Sequence, residues 1–303
     1  MYNFDSTLPN GVFAASITPL KKDYRVDLEA LVAHCKWLLE NGNDGICLLG
    51  TTGEANSFSV AERKEVIDYV VANGIPAQKL IVGTGCCAMT DTIELTKHAV
   101  SKKVGGVLML PPFYYKGLSE DGLANYFGQV INGVDDKNLK IYLYHFPKMT
   151  SVPFTLSLVR RLAKEHNGIV VGMKDSSGDW EGMKAICEAL PGFKIYAGTE
   201  KYLLDILRIG GAGCISATTN ATGKLAAAVY QNKDKKEAVA MQDKLTAARL
   251  AFEGPSFISG VKYMFAKWMN NDEWLNVRPP INRLTITEAT ELESKLEAIQ
   301  FKL

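Results

Sequence analysis

Long apolar runs are missing from this sequence. None approaches the roughly 18 residues that a bilayer-crossing helix requires. The opening Met-Tyr-Asn-Phe-Asp carries neither the basic segment nor the apolar segment of an export signal. The expectation is a soluble, cytoplasmic protein with no membrane partner. Charge of one sign is lacking too: 34 Lys and Arg stand against 33 Asp and Glu, a net charge of +1. That balance gives no polyanion a surface to bind, so nucleic acid is not expected as a partner. Histidine is scarce, with four at 34, 98, 145 and 166 and no ligand spacing among them, which argues against a metal-dependent enzyme. The six cysteines, at 35, 47, 86, 87, 187 and 214, contain no C-x-x-C pair. They read as reduced thiols, with the adjacent Cys86-Cys87 pair, poor geometry for a disulfide, as small apolar filling. No Gly-x-Gly-x-x-Gly follows the first apolar run, which argues against a dinucleotide fold. Neither a metal nor a cofactor is expected.

What is present is a core and a rhythm. Of 303 residues, 47% are hydrophobic, enough for a sizeable interior. Eight short apolar runs, at 12–18, 45–49, 80–83, 106–110, 140–145, 169–174, 194–197 and 213–216, alternate with stretches of helical periodicity. Ser59-Val60-Ala61-Glu62 is a capping box that opens the second helix. Thr90-Asp91 and Ser119-Glu120-Asp121 suit the starts of the third and fourth. Eight strands with helices between them and one after the last predict an α/β fold, a closed (β/α)8 barrel of the TIM type over 1–231. Strand signals stop near 231. Helical stretches broken at 253–256 and 278–280 predict a helical extension over 232–303, packed on the barrel.

The run at 169–174 ends in Lys174, followed at once by Asp175-Ser176-Ser177-Gly178. An amine at the end of a strand buried on both faces is half desolvated. Desolvation penalises the ammonium form, and a neutral amine is a nucleophile for a carbonyl carbon. A strand-end lysine that snorkels to water is the ordinary alternative, so the companions decide. In such a barrel the chemistry sits at the C-terminal ends of the strands. Strand two ends in Gly50-Thr51-Thr52-Gly53-Glu54, whose turn exposes amides and hydroxyls suited to a small carboxylate. Strand four runs into Pro111-Pro112-Phe113-Tyr114-Tyr115, and strand five ends in Tyr144-His145-Phe146-Pro147. Strand seven ends in Gly198-Thr199-Glu200 and strand eight in Ile215-Ser216. A carboxylate nest, tyrosines and a desolvated lysine are the kit for imine chemistry on a 2-oxo acid. The glycines at 210, 211 and 213 precede strand eight on the opposite face, so no phosphate cradle is expected.

The ordered motifs GTTGE, PFYY, YHFP, GMKDSSGD and GGAGCIS span essentially the whole chain. They resemble the dihydrodipicolinate synthase / N-acetylneuraminate lyase family of class I aldolases. The resemblance implies a homotetramer built as a dimer of dimers. It gives Lys174 the Schiff-base role and Tyr144 that of the acid/base over the imine carbon. Thr51 and Thr52 become the pair that holds the pyruvate carboxylate and extends a proton relay. Tyr115 becomes the relay tyrosine reaching into a neighbouring subunit's site. Gly198 and Ile215 would flank pyruvate, with Gly50 and Ser176 of the same motifs also contacting substrate. Glu200 falls where sialic acid lyases carry an acid that grips substrate hydroxyls, although it also suits the first turn of its helix.

The synthases of that family carry a Tyr-Asn-Val-Pro-Ser-Arg-Thr segment whose arginine grips the aldehyde's carboxylate. Here Met149 stands at the arginine position, and His145 replaces the asparagine. The resulting expectation is a lyase or aldolase for a 2-keto-3-deoxy sugar acid or similar 2-oxo acid. Its partners are pyruvate and an aldehyde. The alternatives are 4-hydroxy-tetrahydrodipicolinate synthase, a 2-keto-3-deoxy acid dehydratase, and a non-catalytic 2-oxo-acid-binding regulator.

Overall fold

The structure is a computed structural model that describes residue 4 and residues 8–254 and 257–303. The opening segment, apart from residue 4, and the 255–256 part of the break expected after the first extension helix lie outside the described residues. Eight parallel strands close into a barrel in chain order: β1 Gly11–Ala15, β2 Gly45–Leu48, β3 Leu80–Gly83, β4 Gly106–Met109, β5 Ile141–His145, β6 Val170–Asp175, β7 Lys194–Ala197 and β8 Gly213–Ser216. β1 pairs with β2 on one side and β8 on the other, which leaves no open edge. Every strand residue is buried, because side chains of one parity fill the barrel and those of the other meet the helices. Phe13, Cys47, Ile81, Leu108, Tyr142, Val171, Tyr196 and Ile215 pack inside the barrel. Val12, Ile46, Val82, Val107, Leu143, Met173 and Cys214 belong to the layer beneath the helices.

The crossovers are α1 Leu28–Glu40, α2 Val60–Ala72, α3 Met89–Ser101, α4 Glu120–Val134, the short α5 Pro147–Thr150, α6 Leu156–Glu165, α7 Trp180–Ala189 and α8 Leu203–Arg208. α9, Thr219–Gln231, follows the last strand. α6 shows why these segments are helical: its buried residues Leu158, Val159, Leu162 and Ala163 form one stripe, and the Thr155 side chain caps the Leu158 amide. The capping box at Ser59 and Glu62 is present, and Ser119 caps α4. The third helix departs from expectation. It begins after Ala88, with no side-chain cap from Thr90 or Asp91; Thr92 Oγ1 instead accepts the Cys86 amide at 3.0 Å. The first strand is also shorter than its apolar run. Ser16 still donates its amide to the Cys47 carbonyl, and beyond it the chain is held by side chains, Ile17 N–H on Asn220 Oδ1 at 3.2 Å and Thr18 Oγ1 on the Gly53 carbonyl at 2.8 Å.

The extension comprises α10 Ala238–Ala251, α11 Phe257–Met269 and α12 Ile286–Ala298. The residues before Ala238, expected to be helical from about 233, form turns. The extension packs on the barrel through a second core that includes Ile17, Phe252, Val261, Phe265, Trp274, Leu292 and Leu296. Among the described residues, no helix is long and apolar enough to cross a membrane.

His34, on α1, is buried at this seam. Its ring meets Phe265 edge-on at 4.7 Å and Trp274 at 5.4 Å, and Nε2 lies 2.9 Å from Asn220 Oδ1. Burial pushes its pKa from 6.5 down to about 4, against the opposing Asn220 contact. Between those values the unfolded chain binds a proton that the folded chain does not, so stability falls as pH drops below 6.5. The expected loss from pH 7 to pH 5 is about 2 kcal/mol. That window lies above the range where Glu62, held down to about 2 chiefly by its hydrogen bond from Arg278, takes a proton. Urea midpoints across this range should drop for the parent protein and stay flatter for His34→Gln. Equal slopes in the two proteins would remove His34 as the cause.

Candidate active site

Lys174 and Tyr144 face each other because of an irregularity between β5 and β6. Ile141 pairs with Val170, but Tyr142 pairs with Gly172, so β6 holds one extra residue at this point. Val170 faces the helices, and strict alternation from it would turn residue 174 outward as well. The bulge resets the parity: Met173 faces the helices, and Lys174 comes level with Tyr144 across the ladder. Gly172 is required at the bulge, since a Cβ there would lie 2.6 Å from the Tyr142 ring and 2.5 Å from the Lys194 carbonyl. Lys174 is 5% exposed, and its Nζ stands 4.5 Å above the Tyr144 ring centroid. Lys174 Nζ donates to Tyr144 Oη at 3.3 Å, and Tyr144 Oη is 3.3 Å from Thr51 Oγ1. A Lys–Tyr–Thr chain therefore lies at the barrel mouth, with long hydrogen bonds of the kind that tighten when substrate binds. Below it the Cys47 thiol, pushed up to about 11 by burial against the opposing charge of Lys174, stays protonated.

Thr51 comes from a turn bracketed by two non-glycine residues with left-handed backbone, Leu49 at φ 53° and Glu54 at φ 58°. Such conformations are costly and concentrate where a loop is held for function. Gly50 and Thr52 are buried in this turn and Thr51 half-buried. Ile215 is fully buried in the barrel interior. Gly198 and Ser176 are neighbours: a Cβ on Gly198 would lie 2.2 Å from Ser176 Oγ and 2.7 Å from the Asp175 carbonyl, so only glycine fits. The Ser176 amide donates to the His145 carbonyl at 2.7 Å.

Two candidates are placed differently. Glu200 is fully buried, and its carboxylate accepts from Ser216, Thr218 and, at 2.8 Å, Thr222, with Arg249 Nε 3.5 Å away. It ties β7 to β8 and to the extension rather than presenting oxygens to the mouth. Tyr115 is 70% exposed, its ring edge-on to Tyr114 at 5.5 Å, and no hydrogen bond joins it to Thr51 among the described residues. Within one chain, then, Lys174, Tyr144 and Thr51 come together and Tyr115 stands apart.

Residues 8–299 match the dihydrodipicolinate synthetase family. The chain belongs to that family. A DapA-like lyase of Chloroflexus aurantiacus, itself uncharacterized, is 37% identical over 80% of this chain and 81% of its own. A 4-hydroxy-tetrahydrodipicolinate synthase of Acidiphilium cryptum is 31% identical over 84% and 86%. The crystal structure of dihydrodipicolinate synthase from Agrobacterium tumefaciens superposes with a TM-score of 0.87 at 30% identity, covering 95% of this chain and 99% of that one. As a member of the dihydrodipicolinate synthetase family the protein is an enzyme, a lyase of the aldolase type.

This family member also has a support layer that the sequence did not reveal. His145 faces outward, where its Nδ1 accepts the Phe154 amide at 3.0 Å and its ring packs against Phe154. The bond fixes Nδ1 as acceptor and staples the segment after α5 to the end of β5. Burial lowers the His145 pKa and raises that of Asp175, its neighbour across the ladder, while each one's charge opposes the other's shift. Cys86 is not apolar filling: its sulfur accepts from Arg63 Nη1 at 3.1 Å, and Arg63 Nη2 donates to the Gly83 carbonyl at 2.7 Å. Cys87 beside it is exposed. Gly210 and Gly211 lie in the turn entering β8 and Gly213 is its first residue, at the opposite end of the barrel from Lys174. Among the described residues no group of three or more His, Cys, Asp or Glu side chains could hold a metal ion.

Proposed function

We propose that this enzyme cleaves or forms a 2-keto-3-deoxy sugar acid, or a similar 2-oxo acid, through an imine on Lys174. The observation that carries the reading is the buried Lys174 Nζ within 3.3 Å of Tyr144 Oη, itself 3.3 Å from Thr51 Oγ1. The neutral amine attacks the ketone carbon of the 2-oxo acid, and loss of water gives an iminium. The C3–C4 bond then breaks, its electron pair entering the iminium to leave an enamine. Tyr144 gives its phenol proton to the hydroxide that departs as water, and the resulting phenolate takes the C4 hydroxyl proton as the aldehyde leaves. Protonation of the enamine at C3 and hydrolysis release pyruvate and restore the amine. Tyr144 is hydrogen-bonded on both sides and serves each proton transfer. The turn at Gly50, Thr51 and Thr52 holds the substrate carboxylate, with Ser176, Gly198 and Ile215 around the three-carbon unit; this is positioning rather than charge neutralisation.

The second reading, 4-hydroxy-tetrahydrodipicolinate synthase, is favoured by the name of the Acidiphilium cryptum relative. It is weakened by Met149, whose thioether cannot pair with a carboxylate as a guanidinium does. The decisive experiment is incubation with pyruvate and borohydride followed by peptide mass mapping. A reduced pyruvyl adduct on Lys174 is expected; no adduct with pyruvate or any other 2-oxo acid would overturn the assignment. Exchange of the pyruvate methyl protons with deuterated solvent separates an enzyme from a silent 2-oxo-acid sensor, because only enamine formation moves those protons. Pyruvate release across a panel of 2-keto-3-deoxy acids, run beside aspartate semialdehyde condensation, then divides the two readings.

The exposure of Tyr115 supports a homotetramer in which each site borrows that phenol from a neighbour. Activity should then vanish on dilution to the monomer and follow assembly in sedimentation. A fully active monomer would take Tyr115 out of the relay.

A further inference from the structure

The most unusual charges in the molecule lie outside the Lys–Tyr–Thr chain. Glu54, the last residue of the GTTGE turn, and Lys262, on α11 of the extension, form an ion pair in which both side chains are fully buried. Lys262 Nζ donates to Glu54 Oε1 and to the Asn276 carbonyl, the latter at 2.7 Å. Glu54 Oε2 accepts the Arg278 amide at 2.8 Å. The Arg278 guanidinium then reaches the Ser57 carbonyl at 2.7 Å and lies 4.2 Å above the Phe58 ring. From the other side, Thr18 Oγ1 grips the Gly53 carbonyl. Within the turn the Glu54 amide donates to the Thr51 carbonyl at 3.0 Å. Two residues of the extension, Lys262 and Arg278, therefore hold Glu54, and Thr18 holds Gly53, the two residues that follow Thr51 and Thr52.

A buried ion pair rarely gains net stability over well-packed apolar side chains, because desolvating two charges offsets their attraction. Lys262 feels this directly, since burial lowers its pKa against the opposing charge of Glu54. What the pair does provide is direction. The carboxylate has one oxygen fixed by an ammonium and the other by a backbone amide, so the Glu54 backbone is held in its left-handed conformation. The Glu54 amide in turn ties this backbone to the Thr51 carbonyl at 3.0 Å, one residue link from the hydroxyl that meets Tyr144.

We propose that Glu54 and Lys262 are positioning residues for the proton relay: the extension orients Thr51, and through it Tyr144, by this buried pair. The inference rests on the Schiff-base reading and adds the residues that fix its geometry. It assigns the pair to proton transfer rather than to imine formation, because Lys174 is placed by β6 and not by the turn.

The test is Glu54→Leu combined with Lys262→Met, which removes both charges without leaving either one buried alone. Three quantities are read: the yield of borohydride-trapped adduct on Lys174 with pyruvate, the rate of methyl proton exchange with deuterated solvent, and amide hydrogen exchange at 51–58. A folded variant should still trap the adduct, lose proton exchange by roughly 10–100-fold, and lose amide protection at 51–58. A folded variant with the parental exchange rate overturns the proposal, as does one with parental protection at 51–58. If the double variant does not fold, Glu54→Gln keeps an acceptor for the Arg278 amide and removes only the charge. It should slow proton exchange several-fold at unchanged adduct yield, and an unaltered exchange rate again overturns the proposal. Failure of the parent protein to form any adduct would instead overturn the Schiff-base reading, and the hold on the turn would then be judged by the amide protection.

Discussion

Lys174→Ala should abolish the trapped adduct and turnover together, whereas Tyr144→Phe should separate them. Only an amine can form the iminium, and without that electron sink the C3–C4 bond has nowhere to send its electron pair. The phenol has a different task. Removing Tyr144 Oη takes away the group that Lys174 Nζ and Thr51 Oγ1 both reach, yet it leaves the amine, the ring beneath it and the barrel interior in place. Proton transfer by a positioned side chain typically contributes 10²–10⁴-fold, so turnover should fall by roughly that factor while some imine is still trapped. Thr51→Val should act in the same direction and more weakly, since Tyr144 would keep its contact with Lys174. Thermal unfolding of each variant guards against the trivial explanation, because Lys174 and Tyr144 are both buried. Equal loss of adduct in Lys174→Ala and Tyr144→Phe would mean that the phenol is needed to build the imine. Turnover surviving in Lys174→Ala would end the imine mechanism.

The strands of the barrel were legible because each is a short apolar run bounded by turn residues, and barrel strands are buried on both faces whatever the neighbours do. β3, β7 and β8 fall on the runs expected for them, and Lys174, Tyr144 and Thr51 meet where strand ends were expected to meet. What the sequence could not show is anything set by pairing rather than by period. The bulge that turns Lys174 inward depends on an offset between β5 and β6, and neither strand carries it alone. The start of α3 is not legible, because Thr90 and Asp91 have capping chemistry but lie inside the helix, past its start at Met89. Glu200 shows the opposite limit, a residue whose type is legible but whose partners are not. Its place after the strand-seven glycine suits a substrate contact, but Ser216, Thr218, Thr222 and Arg249 converge on it from β8, α9 and α10. The pairing of Glu54 with Lys262 spans 208 positions of sequence, and no local pattern announces it. Its signal was available only in the weak form of a lysine on the buried face of an otherwise apolar α11.

Met149→Arg should raise condensation of pyruvate with aspartate semialdehyde by roughly 30–150-fold, the effect of one bidentate charge-assisted contact worth about 2–3 kcal/mol. The backbone that would carry the arginine is already ordered. Met149 lies in α5, is 65% exposed, and its amide donates to the Phe146 carbonyl at 3.0 Å. The segment around it is fixed at both ends. His145 holds the Phe154 amide, and Lys116 donates to the Thr150 carbonyl at 2.8 Å. An arginine introduced there displaces no packed neighbour, so it should change stability little. Its guanidinium would act from an ordered backbone, which limits the entropy lost on binding. Lys148 does not already fill the role: its Nζ rests over the loop after β6, 3.4 Å from where a Cβ on Gly178 would lie. A point charge there also lacks the planar fork that a carboxylate matches. Met149→Lys is therefore the control, with a gain well below that of arginine. Because the Schiff-base half is untouched, the borohydride adduct with pyruvate and the methyl proton exchange should match the parent in both variants, confining the gain to the aldehyde. A parent enzyme that already condenses aspartate semialdehyde as fast as Met149→Arg would show that recognition of that carboxylate does not run through position 149, and would return the protein to the biosynthetic reading.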